Sequence, residues 1–444
     1  MPLSVRIVNG MRFWRVHGTR MFLWEVWRRL RRTPPQPPGP PLGLAPAPPP
    51  PPPPPTPPAA MLPLAREVVR TRLTALDPLP AVIATAPART RVTMITDGID
   101  TGRLFGGVGT AMILAALLAR ARGAQLRLIT RNERAKAENL DAVLSLYGIR
   151  PEGDVEFVFA PPGSRRGVPI LDDELVVTTS WWTTAATLGG VRAQQILYLL
   201  QEDERMFYPL GDDHLLCSRV LADTRLRLAV NTSLLMQHLG STGVPGLAER
   251  AVAFEPAFPG HIFRRGDRPA GAKRLLLFYA RPNHLRNLFH FGLDVLDQAV
   301  RCGAIDLARW DIAMVGAQIP PFRFDNGYIP ERHEGLSWQA YAKLVGRADL
   351  GLSLMYTPHP SYPPLDLAAS GAVVVTNRYG IKTDLGRYSE NILCADLEPA
   401  ALLQALRDGI QLAENEPERA RRFAAQSIAD DWAKTLQPVI DRFA

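Results

Sequence analysis

Residues 91–130 read RVTMITDGID TGRLFGGVGT AMILAALLAR ARGAQLRLIT, and their order decides the fold class. Residues 91–96 are a short apolar run. Residues 107–121 are a long apolar stretch dominated by alanine and leucine, and 125–130 are a second short run. Apolar runs too short for a helix, separated by one long enough to be a helix, spell strand, helix, strand. Two such strands joined by a helical crossover lie parallel and are covered on both faces, which is why they read as nearly continuous apolar sequence.

The same alternation extends outward. Leu64, Val68, Val69, Leu73 and Leu76 predict an amphipathic helix ahead of the first strand. Downstream, 132–147 reads as helix, and 155–160, 175–179, 196–200 and 226–230 read as strands. A second series starts near Lys273, with strands at 274–279, 311–315, 349–355, 372–376 and 391–394. Helices are expected at 285–300, 338–345 and 365–370, and three helical spans end at Phe443. Residues 255–270, rich in proline and glycine, read as a connection between the two series. The fold class is therefore α/β, with two doubly wound Rossmann-like domains facing each other across a cleft. The expected divisions are a tail at 1–60, an N-terminal domain at 61–256, a C-terminal domain at 257–425 and a closing helix at 426–444 that crosses back to the first domain.

Charge is unevenly placed. The formal net charge is +8, yet residues 1–33 alone hold eight arginines against the single acid Glu25. Residues 34–60 carry no charge, which leaves 43 basic and 42 acidic side chains in the remaining 384 residues. The body is thus nearly neutral and gives no electrostatic case for nucleic acid. From Pro34 to Pro58, 17 of 25 residues are proline, so this segment is expected to be a disordered, extended spacer. Ahead of it, Trp14, Phe22, Leu23, Trp24, Trp27 and Leu30 interleave with arginines. Two readings fit: an interfacial helix on anionic lipid, or a leader preceding a translation start at Met61. No signal peptide and no membrane-spanning run is read. Cys217, Cys302 and Cys394 are too scattered for a metal site or disulfide framework and read as small core residues of a cytoplasmic protein.

Four stretches carry candidate chemistry. The first strand ends at Thr96-Asp97-Gly98 and is followed by Gly102 through Gly106-Gly107-Val108-Gly109-Thr110, then the long helix. Glycines let backbone approach a ligand, and a helix N-terminus offers N–H groups to phosphate or sugar oxygens. The third glycine of the dinucleotide fingerprint is missing, and Thr130-Arg131-Asn132 supplies no acid for a ribose diol, which disfavours a nicotinamide enzyme. Gln201-Glu202-Asp203-Glu204 follows an apolar strand and is expected to face the cleft, with Glu202, Asp203 and Asp97 as acceptor-binding candidates. In the second series, Arg281 and Arg286 flank Asn283 at the carboxyl end of a strand, a spacing suited to a diphosphate. Finally, His359-Pro360-Ser361-Tyr362-Pro363-Pro364-Leu365-Asp366 joins a buried strand to a helix, and its prolines make a stiff wall. Asp172-Asp173 and Asp212-Asp213 lack neighbouring ligands and read as solvated or capping charges, so no metal site is assigned.

With these motifs the chain resembles the GT-B glycosyltransferases of family 4, and more narrowly the polyrhamnan-type, WsaF-like rhamnosyltransferases. The resemblance covers most of residues 90–415. It rests on the glycine loop, on 200–204 with Phe207-Tyr208-Pro209, on Phe278-Tyr279-Ala280-Arg281-Pro282 with Arg286-Asn287, and above all on 359–366. It implies a nucleotide-sugar donor, with deoxythymidine-linked rhamnose the closest fit, held mainly by the C-terminal domain. The acceptor, a glycan or lipid-linked glycan, would be held by the N-terminal domain. Retention at the anomeric carbon and no required metal or cofactor are implied as well. Arg281 and Arg286 would hold the diphosphate. Gly106, Gly107 and Gly109 would line the reacting centre, and Asn283, Ser361, Tyr362, Pro364, Leu365 and Asp366 would complete the donor site. In the broader family a carboxylate pair brackets this last string. Asp366 matches the second member, but the first falls on Pro358, leaving His359 as the nearby polar group and a catalytic candidate. The tail would make peripheral contact with the inner face of the membrane. Three rival readings stay open: a nucleotide-sugar epimerase, a non-catalytic carbohydrate- or nucleotide-binding protein, and a membrane scaffold.

Overall fold

A computed structural model describes residues 62–84, 90–99, 106–269 and 271–444. The basic and proline-rich tail and the first part of the glycine loop, 100–105, lie outside the described residues. In chain order the strands are β1 (Ala81–Ala84), β2 (Arg91–Thr96), β3 (Gln125–Thr130), β4 (Glu156–Phe159), β5 (Val168–Leu171), β6 (Leu175–Thr178), β7 (Ile196–Leu200), β8 (Arg227–Asn231), β9 (Ala251–Phe254), β10 (Arg274–Ala280), β11 (Trp310–Gly316), β12 (Glu331–Glu334), β13 (Leu350–Leu352), β14 (Val373–Asn377) and β15 (Ile392–Ala395).

Two parallel sheets organise residues 64–444. The first has the order β4-β3-β2-β6-β7-β8-β9, the second β12-β11-β10-β13-β14-β15, and a separate ribbon pairs β1 with β5. In the opening unit, β2 and β3 pair from Arg91↔Gln125 to Thr96↔Thr130, and every residue of β2 is buried. The crossover is helix Gly107–Ala121, buried along most of its length, so the apolar sequence at 107–121 is explained by cover on nearly all sides. One polar cluster interrupts this core. Arg127 on β3 donates to Pro169 O at 2.9 Å and pairs with buried Glu174, tying the β5 segment to the sheet.

The chain passes between the halves twice. Phe258 on the outgoing connection donates its backbone N–H to Ala429 O at 2.6 Å on the returning segment. Helix Trp432–Phe443 then packs Trp432, Leu436, Val439, Ile440 and Phe443 into the same core as helix Gly107–Ala121. On the second half, buried Asp349 accepts from Arg268 and Arg419, both at 3.0 Å, from Arg265, and from the backbone of Leu275 at 3.0 Å. This knot pins the connection and helix Glu416–Ala424 to the amino ends of β10 and β13, the central strands of the second sheet.

Several sequence expectations are corrected. The strand expected at 349–355 stops at Leu352, because 353–361 turn away to form a loop. The helix expected at 365 starts at Tyr362, with Pro363 and Pro364 in its first turn, where a missing N–H costs little. The helix expected at 285–300 splits: Leu285–Asn287 is one tight turn, Leu288 adopts φ 48°, and the α-helix begins at Phe289. Cys217 is buried, but Cys302 is exposed at the end of that helix rather than in the core. Among the described residues no helix is long and apolar enough to cross a membrane.

Candidate functional site

In an open parallel sheet, ligands bind beyond the carboxyl ends of the strands, where the strand order reverses. In the first sheet that point lies between β2 and β6, in the second between β10 and β13. The glycine loop follows β2, and Gln201-Glu202 follow β7. Arg281 follows β10, and the 353–361 loop follows β13. These segments meet.

The glycine turn is built as expected at its described end. Gly106 caps helix Gly107–Ala121 with φ 92°, a conformation that side chains with a Cβ disfavour. Gly107 is packed so that an added Cβ would lie 3.0 Å from the Gln201 amide, which donates to Gly107 O at 2.7 Å. Gly109 is buried. Asp97 accepts from the Trp182 indole at 3.0 Å and 3.1 Å.

The two halves touch through polar groups. Arg286, in the tight turn after β10, donates to Glu202 at 2.9 Å and lies 4.1 Å over the Phe207 ring. The other Glu202 oxygen accepts from Thr357. Glu202 is 9 % exposed, and burial pushes its carboxyl up while Arg286 and Thr357 pull it down. Nearby, the Tyr362 hydroxyl bonds Thr110 at 2.7 Å and Asn231 at 2.8 Å. A residue expected at the donor is therefore also a strut between the halves.

Arg281 is half-buried, its stem against Gly316, and it forms no ion pair among the described residues. With Arg286 it contributes, after burial, to holding His284 down at about 4. A third cation escaped the sequence reading. Lys382 is fully buried, donates to Met355 O at 3.1 Å, and is lowered to about 8 by burial, with Glu202 pulling it back up. Arg286 and Lys382 thus act on Glu202 from the second half, Glu204 also feels Arg286, and Arg281 follows the same strand as Arg286.

The loop after β13 is stiff for visible reasons. Met355 exchanges two hydrogen bonds with the Asn377 side chain, at 2.7 Å and 3.0 Å, and Tyr356 N–H donates to Arg286 O at 2.8 Å. His359 accepts the Ser361 N–H on Nδ1 at 2.9 Å, and its ring stacks on Tyr362.

Not every candidate side chain joins this cluster. Asp203, expected at the acceptor with Glu202, instead grips Arg205 at 2.7 Å and His238 at 3.1 Å within its own half. Glu204 accepts the Trp181 N–H at 2.7 Å. The Leu365 side chain is in the hydrophobic core, and Pro364 is buried beside it. Asp366 is buried against the Tyr341 hydroxyl at 2.9 Å, and burial pushes it up to about 8. Asn283 is exposed and bonds Gln318. The described residues contain no cluster of three metal-ligating side chains.

Residues 91–230 match the family described as WsaF, N-terminal domain, and residues 274–407 match WsaF, C-terminal domain. The chain is similar to the O-antigen biosynthesis protein RfbC of Myxococcus xanthus, 27% identical over 397 residues; the match covers 82% of this chain and only 28% of that relative. Among solved structures it is similar to sucrose-phosphate synthase from Thermosynechococcus elongatus, with TM-score 0.54 and 11% identity over 80% of this chain and 97% of that one. Anabaena Alr3699/HepE in complex with UDP and glucose gives TM-score 0.54 and 12% identity over 80% of this chain and 99% of that one. A glycosyltransferase from Rickettsia africae gives 0.51 and 14%, over 80% and 99%. At such identities the structures speak for the fold, which is GT-B, while the two matched domains carry the family. The chain belongs to the WsaF family of GT-B glycosyltransferases.

Proposed function

We propose that the chain moves rhamnose or another deoxyhexose from a nucleoside-diphosphate donor to a glycan acceptor in surface polysaccharide synthesis. The observation that carries this reading is the placement of three cations, Arg281, Arg286 and Lys382, beyond the carboxyl ends of β10 and β14 in the second sheet. It is supported by the name of the O-antigen relative and by the UDP and UDP-glucose complexes of the Anabaena neighbour. The choice of rhamnose, retention at the anomeric carbon and independence of metal rest on the family resemblance, as do a lipid-linked acceptor and peripheral membrane contact by the tail.

In this reading Arg281 and Arg286 bind the diphosphate and stabilise its growing charge as the glycosidic bond to the sugar breaks. Arg286 must exchange Glu202 for phosphate. Glu202, released, then faces the acceptor hydroxyl as a hydrogen-bond acceptor, while Asp97 and the Gly106–Gly107–Gly109 turn line the acceptor side. Tyr362 keeps the halves in register, so that water is excluded and the reacting groups are held close. The test is acceptor-dependent release of nucleoside diphosphate from nucleotide sugars. Conversion of the sugar nucleotide without acceptor would instead mark an epimerase, and tight binding without release under any acceptor would mark a binding protein.

A further inference from the structure

His359 is 3 % exposed, yet its Nε2 has no hydrogen-bond partner among the described residues. Its other nitrogen settles the tautomer. Nδ1 accepts the Ser361 backbone N–H at 2.9 Å, so it carries no proton, and the proton of the neutral ring sits on Nε2. Stacking against Tyr362, with centroids 6.1 Å apart and planes at 28°, fixes the ring plane. The Ser361 hydroxyl beside it is likewise buried and has no partner among the described residues. A buried N–H with no partner is costly, and this one lies in the loop that meets Arg286 and Glu202.

Burial, followed by the charges of Lys382 and Arg286, lowers His359 to about 3, so the ring stays neutral at any working pH. The nearby carboxylate, Glu202, is already engaged by Arg286 and Thr357. An N–H donor set beside two cations, with Glu202 already engaged, suits an anionic oxygen better than a neutral hydroxyl.

We propose, resting on the donor-site reading above, that the His359 Nε2–H donates to an oxygen of the donor's diphosphate, as a fixed neutral donor beside Arg286. This differs from a contact to the donor's sugar, which the experiment below separates from it. It makes the site a phosphate cradle with one hydrogen bond that does not titrate.

The test uses the full chain with UDP, dTDP, the matching nucleosides and the matching nucleotide sugars as probes in titration calorimetry. His359→Phe keeps the ring and removes the donor; His359→Gln restores an N–H near Nε2. The proposal expects His359→Phe to weaken diphosphate binding about 10-fold or more, to leave nucleoside binding unchanged, and His359→Gln to recover most of the loss. In the wild type, the Nε2–H proton resonance, assigned by its absence in His359→Gln, should move on adding diphosphate. That measurement stands even if the phenylalanine variant does not fold. Unchanged diphosphate affinity with weakened nucleotide-sugar affinity would overturn the proposal in favour of a sugar contact. Unchanged affinity for both, or a resonance that does not move, would overturn it outright. A wild-type protein that binds neither diphosphate would instead sink the donor-site reading itself.

Discussion

Glu202→Gln keeps the shape of the side chain and removes its charge, which isolates the contact that closes the seam between the halves. In the structure Glu202 holds Arg286 at 2.9 Å and accepts from Thr357. A hydrogen bond to a charged group contributes roughly 1.5–3 kcal/mol. Arg286 keeps its stacking on Phe207 and is 25 % exposed, and a glutamine oxygen still accepts weakly, so about 1–2 kcal/mol is the part that depends on charge. If the diphosphate must displace Glu202 to reach Arg286, that part is returned to ligand binding. Nucleoside-diphosphate affinity should then rise about 5- to 30-fold. Turnover should fall in the same variant, because the acceptor hydroxyl loses its carboxylate. Calorimetry on the full chain with UDP and dTDP, paired with steady-state transfer rates, reads both signs. A folded Glu202→Gln protein whose diphosphate affinity is unchanged or weaker would refute the exchange, and with it the placement of the phosphate on Arg286.

Two further outcomes follow from buried acids. Asp349→Ala leaves Arg265, Arg268 and Arg419 facing an empty site around a carboxylate that is fully buried, so chemical denaturation should show a loss of about 3–5 kcal/mol; a loss under 1 kcal/mol would mean the three arginines find water instead. Asp366 is raised to about 8 by burial, so the folded state holds a proton that the unfolded state has released. The stability it contributes is complete below the ordinary carboxylate range and is lost as pH rises through about 8. Thermal melts should therefore show Asp366→Asn and wild type converging in acid, separating as pH rises from the ordinary carboxylate range to about 8 and keeping a constant gap above that, with the variant the more stable; curves parallel throughout would contradict the assignment of that proton.

The sheets were legible because their signal is local. β2, the helix and β3 each declare themselves within a dozen residues, since cover on both faces demands apolar runs. Strand β12 gave no such signal, as Glu331–Glu334 is a polar edge strand, and the β1–β5 ribbon has four residues a side. At the site, motifs located the right loops and missed their partners. Glu202 and Arg286 are 84 positions apart, and Thr110 and Tyr362 are 252 apart. Nothing local distinguishes Glu202 from Asp203, yet one crosses to the other half while the other turns inward to Arg205 and His238. Lys382 was missed because a lysine in a Tyr-Gly-Ile-Lys turn reads as solvated; only the tertiary fold buries it.

Charge stabilisation of a departing diphosphate is tested with the least collateral change at Arg281, which forms no ion pair among the described residues. The measurement is acceptor-dependent release of nucleoside diphosphate by wild type and Arg281→Ala at matched folded fractions. A loss of at least about 100-fold in turnover, near 3 kcal/mol in the barrier, is the predicted result. Near-normal turnover in a folded Arg281→Ala protein would contradict it.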